Sequence, residues 1–191
     1  MNAHVITSTR FRAAVDASRE EWQIMEDAEQ RWRREGGIGE GLLRLLGSLQ
    51  SDDALGAPVN LYTHCLQTAT RALDDGADDE LVVVALFHDV PEAISESEHG
   101  AVAAQLLAPR ISAARTWLLT HRGVFQNYYF VNHPTRDRYE RNAYLDHPFA
   151  EQTDYFSRRY DQNSFDPDFP VLPLDTFRPI VRRFFTARTG A

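Results

Sequence analysis

The pair His88-Asp89 is the first place in this 191-residue chain where residue type and position together point to chemistry. It closes the run LVVVALFHDV, apolar on nearly every side, which predicts a buried helix. A carboxylate carried into such surroundings must be protonated, paired with a cation or bound to a metal. No arginine lies within ten positions on either side of the pair, so a local ion pair is not on offer and a metal is the economical partner. His64 stands 24 residues before His88, and Asp161 stands 72 residues after Asp89. His99 and His121 open and close the stretch HGAVAAQLLAPRISAARTWLLTH, which holds two further helix patterns. The remaining histidines, His4, His133 and His147, fall at the terminus or directly before proline. Imidazole combined with carboxylate suits Fe, Mn, Zn or Ni better than Ca or Mg alone.

Other residues near these positions have two readings each. Glu92 follows the pair by three residues and either takes a proton from water or substrate beside a metal, or is an ordinary loop acid. Gln67 lies one turn after His64 and either donates to a substrate or serves as a buried structural amide. Cys65 points away from its neighbour His64 and reads as core. Tyr128, Tyr129 and Phe130 could wall a pocket, although an aromatic run is more often core. The twenty basic residues are all arginine. Without lysine there is no Schiff-base chemistry, and an anionic substrate group would fall to arginine, to backbone N–H groups or to a metal.

The elements that must position these side chains read as helices almost throughout. Helical patterns cover about residues 10–34, 40–50, 60–75, 79–89, 98–108, 110–122, 136–143, 149–162 and 176–186. Gly36, Gly37 and Gly39 break the first from the second. Asn60 and Asp78 are expected N-caps, Asp74-Asp75-Gly76 a stop, and Thr176 a cap with Pro179 in the first turn that follows. Residues 163–175 form a Pro-rich loop. The expected fold is all-α, with an N-terminal helical segment (1–57) packing on a metal-binding core (58–191).

Composition narrows the field. Length and a 43% hydrophobic content fit one domain or one domain with an appended element. A formal charge of −8 gives no global field for nucleic acid. The run Arg178, Arg182, Arg183 and Arg188 reads as a solvated helix face. One cysteine excludes an intramolecular disulfide. No secretory signal and no membrane span is legible, so the expected location is cytoplasmic.

The order H…HD…D made by His64, His88, Asp89 and Asp161 resembles the signature of the HD-domain superfamily, over about residues 58–165. That resemblance implies a helical bundle and a metal-dependent enzyme. In dinuclear members, a spaced histidine pair supplies a second metal and the Asp of the dyad bridges both ions. Carried over, His64, His88, Asp89 and Asp161 hold one metal, while Asp89, His99 and His121 hold the other. The segments HCLQTA from His64 and RRYD ending at Asp161 are similar to those of the mixed-valence di-iron oxygenase branch, which cleaves phosphonates or the inositol ring. This branch implies two iron ions, with Mn, Zn or Ni as alternatives, and O₂ with a small hydroxyl-bearing molecule as substrates. It implies no nucleic-acid or membrane partner. Departures are visible: Phe125 and Phe165 fall in or near regions where the phosphonate enzymes carry lysine, which leaves Arg158 and Arg159 as expected substrate contacts. Glu92 completes an HD-x-x-E run that resembles mononuclear nucleotidases instead, so a phosphohydrolase is the alternative function, with a non-catalytic metal-binding or sensing module a third.

Overall fold

The apolar run before His88 folds as a helix, and the bundle is arranged around it. The computed structural model of the protein describes residues 8–95, 97–108 and 110–186; His4 and Arg188 lie outside these. Among the described residues there are eight α-helices and no strand, as expected for an all-α fold. They are α1 (Arg19–Arg34), α2 (Gly37–Ser48), α3 (Leu61–Asp74), α4 (Asp79–Phe87), α5 (His99–Leu107), α6 (Ala113–Asn127), α7 (Ala150–Arg159) and α8 (Leu174–Thr186). Every residue of α4 from Val82 to Phe87 is buried. A helix with so little polar face needs partners all round, and α4 packs against α3, α6 and α8.

Local chemistry sets the helix boundaries. The Asn60 side chain accepts from the Thr63 N–H at the start of α3, and Asp78 accepts from the Leu81 N–H at the start of α4. Gly76 takes φ +75° between them, a left-handed turn that glycine adopts without strain. Helix α2 shares the core of the rest: its Leu42, Leu43 and Leu46 are buried in the same cluster as α4 and α8. Helix α1 buries no residue of its own. No helix among the described residues is long and apolar enough to cross a membrane.

Several boundaries differ from the periodicity reading. Helix α1 begins at Arg19, where Ser18 and Glu21 form a reciprocal capping box. Only Gly36 acts as the breaker, at φ +80°. Gly37 and Gly39 lie inside α2, where their lack of a side chain lets Trp32, Val181 and Phe185 pack close. The helix expected over 136–143 is only a 3₁₀ turn at Glu140–Tyr144. Its arginines are drawn into tertiary bonds instead, Arg138 to the Tyr128 carbonyl and Arg141 to Asp154. Helix α8 begins at Leu174 rather than after Thr176, so Pro179 sits in its second turn. Two arginines of the run on α8 pair with acids on its exposed face: Arg178 with Glu40 and Asp175, and Arg183 with Asp79.

Helices α5 and α6 touch backbone to backbone at Gly100, where an added Cβ would collide with the Leu119 carbonyl oxygen. A carbonyl on a packed helix cannot swing aside as a side chain can. Gly100→Ala is therefore expected to push α5 off α6 and lower stability by roughly 1–3 kcal/mol, the usual cost of overpacking. Urea denaturation checks this; an unchanged midpoint would show that the two helices do not pack this closely.

Candidate metal centre

Four residues from distant parts of the chain meet beside the end of α4. His64 projects from α3. His88 and Asp89 follow directly after α4, because the helix stops at Phe87 and a 3₁₀ turn with Pro91 (Val90–Ala93) takes over. Asp161 follows α7, opening a 3₁₀ turn at Asp161–Asn163. All four are buried, and ligand atoms of His64, His88, Asp89 and Asp161 lie within 4.8 Å of one another.

The backbone orients both rings. The His88 Nδ1 lies 2.8 Å from the Ala85 carbonyl, one of the carbonyls left without a partner at the end of α4. The His64 Nδ1 lies 2.9 Å from the Ser164 carbonyl, in the turn that also carries Asp161. A carbonyl oxygen only accepts, so each Nδ1 must carry the hydrogen, and in a neutral ring Nε2 is then a bare lone pair. Burial pushes the His88 pKa down to about 4, with the Arg122 charge acting in the same direction, so that ring is neutral near pH 7.

The two Nε2 atoms point at each other across 3.2 Å. His64 Nε2 lies 3.1 Å from Asp89 Oδ2 and 3.3 Å from Asp161 Oδ1. His88 Nε2 lies 3.2 and 3.7 Å from the same oxygens. With each Nδ1 turned to a carbonyl, the two Nε2 atoms and two carboxylate oxygens, all potential metal ligands, converge on one point. Donors bound at about 2.0–2.2 Å around one ion stand roughly 3.0–3.5 Å apart, close to the observed spacing. The buried cluster could therefore hold a metal ion.

The sequence reading missed Arg122. It is about 1% exposed, it comes from α6, and it ion-pairs with both carboxylates: Nη2 with Asp89 Oδ1, and Nη1 with Asp161 Oδ2 at 3.1 Å. The scan for a basic partner within ten positions of Asp89 thus led to an incomplete conclusion, because the partner arrives from another helix. A metal has to be inferred from the convergent lone pairs and not from a lack of counter-charge. Gln126, one turn further along the same face of α6, donates to Asp161 Oδ1 at 2.7 Å. Burial alone would raise the Asp161 carboxyl; the lowering comes from any proton carried by the His64 and His88 rings and from the charge of Arg122, which together hold it well below the usual carboxylate range.

The other expected site residues divide. His99 opens α5 and places its Nε2 3.4 Å from Asp89 Oδ1. Asp89, Glu92 and His99 form a second group with ligand atoms within 4.8 Å of one another, with Glu92 exposed to solvent. His121 belongs to neither group. Its ring stacks on Trp117 at 4.2 Å and its Nδ1 lies 3.0 Å from the Trp117 carbonyl, because the inward face of α6 at this level belongs to the next residue, Arg122. Gln67 is buried and its amide is spent on the backbone of Asp166, donating to the carbonyl and accepting from the N–H, which makes it a staple for the loop after Asp161. Arg158 and Arg159 lie on the exposed face of α7. Arg159 binds Asp75 at 2.8 Å together with Tyr155 and Tyr160, and Arg158 lies over the Tyr155 ring. Phe165 packs on the His64 ring at 4.6 Å, and Phe125 and Cys65 are core.

No protein-family model and no curated protein matches the chain.

Two outcomes are expected of the metal-free protein. Arg122→Met strands two buried carboxylates and should cost about 3–5 kcal/mol in urea denaturation, the loss typical of breaking a buried pair from one side. An effect under about 1 kcal/mol would mean that the guanidinium is not their counter-ion. The second concerns pH. His88 titrates near 6.5 when unfolded and near 4 when folded, so between those values the unfolded chain binds more protons. Stability should fall as pH drops from about 6.5 towards 4, by up to about 1.4 kcal/mol per pH unit from this group. Thermal melts across that window should show a shallower slope for His88→Gln; an equal slope would contradict a buried neutral ring.

Proposed function

We propose that the chain is a metal-dependent hydrolase of the HD-domain type, acting on a small ester such as a phosphomonoester or nucleotide. The observation that carries the metal assignment is the convergence of two imidazole lone pairs and two carboxylates on one buried point. His64, His88, Asp89 and Asp161 would hold the ion. A divalent metal bound there supplies Lewis acidity.

The hydrolytic reading comes from what stands beside the cluster. Glu92 gathers with Asp89 and His99 on the side open to solvent. A carboxylate so placed can accept a proton from an attacking water. His99 is half-buried next to it and can orient the same water or the substrate. Arg122 and Gln126 keep Asp161 ionised and fixed in direction. Of the residues grouped around Asp89, Glu92 is the exposed one.

The di-iron oxygenase expected from local sequence is the second reading. What favours it is that its two similar segments, HCLQTA and RRYD, carry His64 and Asp161, both in the cluster. What weighs against it is His121, which that arrangement needs as a ligand and which stacks on Trp117 instead.

The test compares protein loaded with zinc or manganese against protein loaded with iron, on a phosphoester panel and for O₂ uptake triggered by hydroxylated small molecules. Hydrolysis by the redox-silent forms is expected. Glu92→Gln should lower it by roughly 10²–10⁴-fold, the usual weight of a general base, with the metal content unchanged. Substrate-triggered O₂ uptake by the iron form, without ester hydrolysis by any form, would sink the hydrolase reading in favour of the oxygenase.

A further inference from the structure

Asp89 turns its two oxygens to different neighbours. Oδ2 faces the two imidazoles, at 3.1 and 3.2 Å. Oδ1 is held by Arg122 Nη2 and lies 3.4 Å from His99 Nε2. A carboxylate that bridges two metal ions through both oxygens offers one to each, and here the second oxygen already pairs with a guanidinium. The same guanidinium reaches Asp161 with its other amino group. On α6 the inward face presents Arg122 and Gln126, both donors, to the carboxylates. His121 is one residue earlier, rotated by about 100° on the helix, and engaged with Trp117.

We infer that the Arg122 guanidinium is a built-in replacement for a second metal, so that this centre takes one ion and not two. The inference rests on the proposed metal binding by His64, His88, Asp89 and Asp161. Charge supports it. Asp89, Asp161 and Glu92 carry three negative charges and Arg122 returns one, so a single divalent ion already neutralises the set. A second divalent ion would be added beside a fixed cation in a poorly screened interior, where like charges repel strongly.

The group of Asp89, Glu92 and His99 is where such an ion would otherwise sit. It depends on the Asp89 oxygen that the guanidinium holds, so Arg122 closes it. Two consequences separate this role from plain structural support. Removing a would-be ligand of the second site from the natural protein should not change how many ions bind. Replacing Arg122 with a residue that can itself ligate should open the site.

The experiment counts metal in the full chain. Metal-stripped protein is titrated with Mn²⁺ or Zn²⁺ by calorimetry, and the ion content after desalting is measured by mass spectrometry. One ion per chain is expected for the natural protein, for His99→Ala and for Glu92→Gln, rising towards two for Arg122→His. Two ions in the natural protein, falling to one in His99→Ala, would overturn the inference while leaving the metal centre standing. No bound ion at all would overturn the metal centre and the inference with it. If Arg122→His does not fold, the counts for the natural protein and His99→Ala decide the question. A folded Arg122→His protein that stays at one ion would show that the guanidinium is not what keeps the second ion out.

Discussion

Two carboxylates lie in the dry interior of this bundle, and the arrangement around them follows from keeping them charged. Removing an ion from water costs several kcal/mol even after the protein relaxes. That cost is offset only where counter-charge and hydrogen bonds are placed well. Arg122 supplies the charge to both, Gln126 adds a donor to Asp161, and the imidazoles complete the surroundings. The set draws on α3, the end of α4, α6 and the turn after α7. Helices distant in sequence are thereby tied to one point.

The helix ends supply the orientation. Stopping α4 at Phe87 leaves the Ala85 carbonyl free to take the His88 Nδ1–H, which aims Nε2 into the cluster. The turn after α7 performs two tasks within four residues, offering the Asp161 carboxylate and the Ser164 carbonyl that aligns His64. Gln67 fastens the continuation of that turn to α3 through both sides of its amide. The Asp75 cluster with Tyr155, Arg159 and Tyr160 anchors α7 to the far end of α3. These outer contacts explain why Gln67 and Arg159, first read as candidates for catalysis and substrate binding, are engaged in holding the frame.

Much of this was legible in the sequence. The all-round apolar run of α4, the caps at Asn60 and Asp78 and the Gly76 stop are local signals, and they gave the helices that bring His64 near His88. Asp161, near the end of the helical pattern 149–162, is assigned to the cluster by the resemblance of the H…HD…D order. Arg122 could not be seen by scanning neighbours of Asp89, because its contact spans 33 positions. A partial signal did exist in the phase of α6: Leu118, Arg122, Phe125 and Gln126 recur at helical spacing and are all buried, with His121 at the edge of that stripe. That stripe would have added Arg122 to the candidates without excluding His121, which is three residues from Leu118 and four from Phe125. The failed helix at 136–143 has a different cause, since its arginines are claimed by tertiary partners that no local propensity reports.

The central claim is that the buried cluster is a set of acceptors awaiting a cation. The most direct measurement is anomalous diffraction from crystals soaked in Zn²⁺ or Mn²⁺, recorded on both sides of the metal absorption edge. The expected result is one anomalous peak, about 2.0–2.2 Å from the Nε2 atoms of His64 and His88 and in contact with carboxylate oxygens of Asp89 and Asp161. The contradicting result is no peak at that point under saturating metal, with the His64 Nε2 instead protonated and donating to the carboxylates.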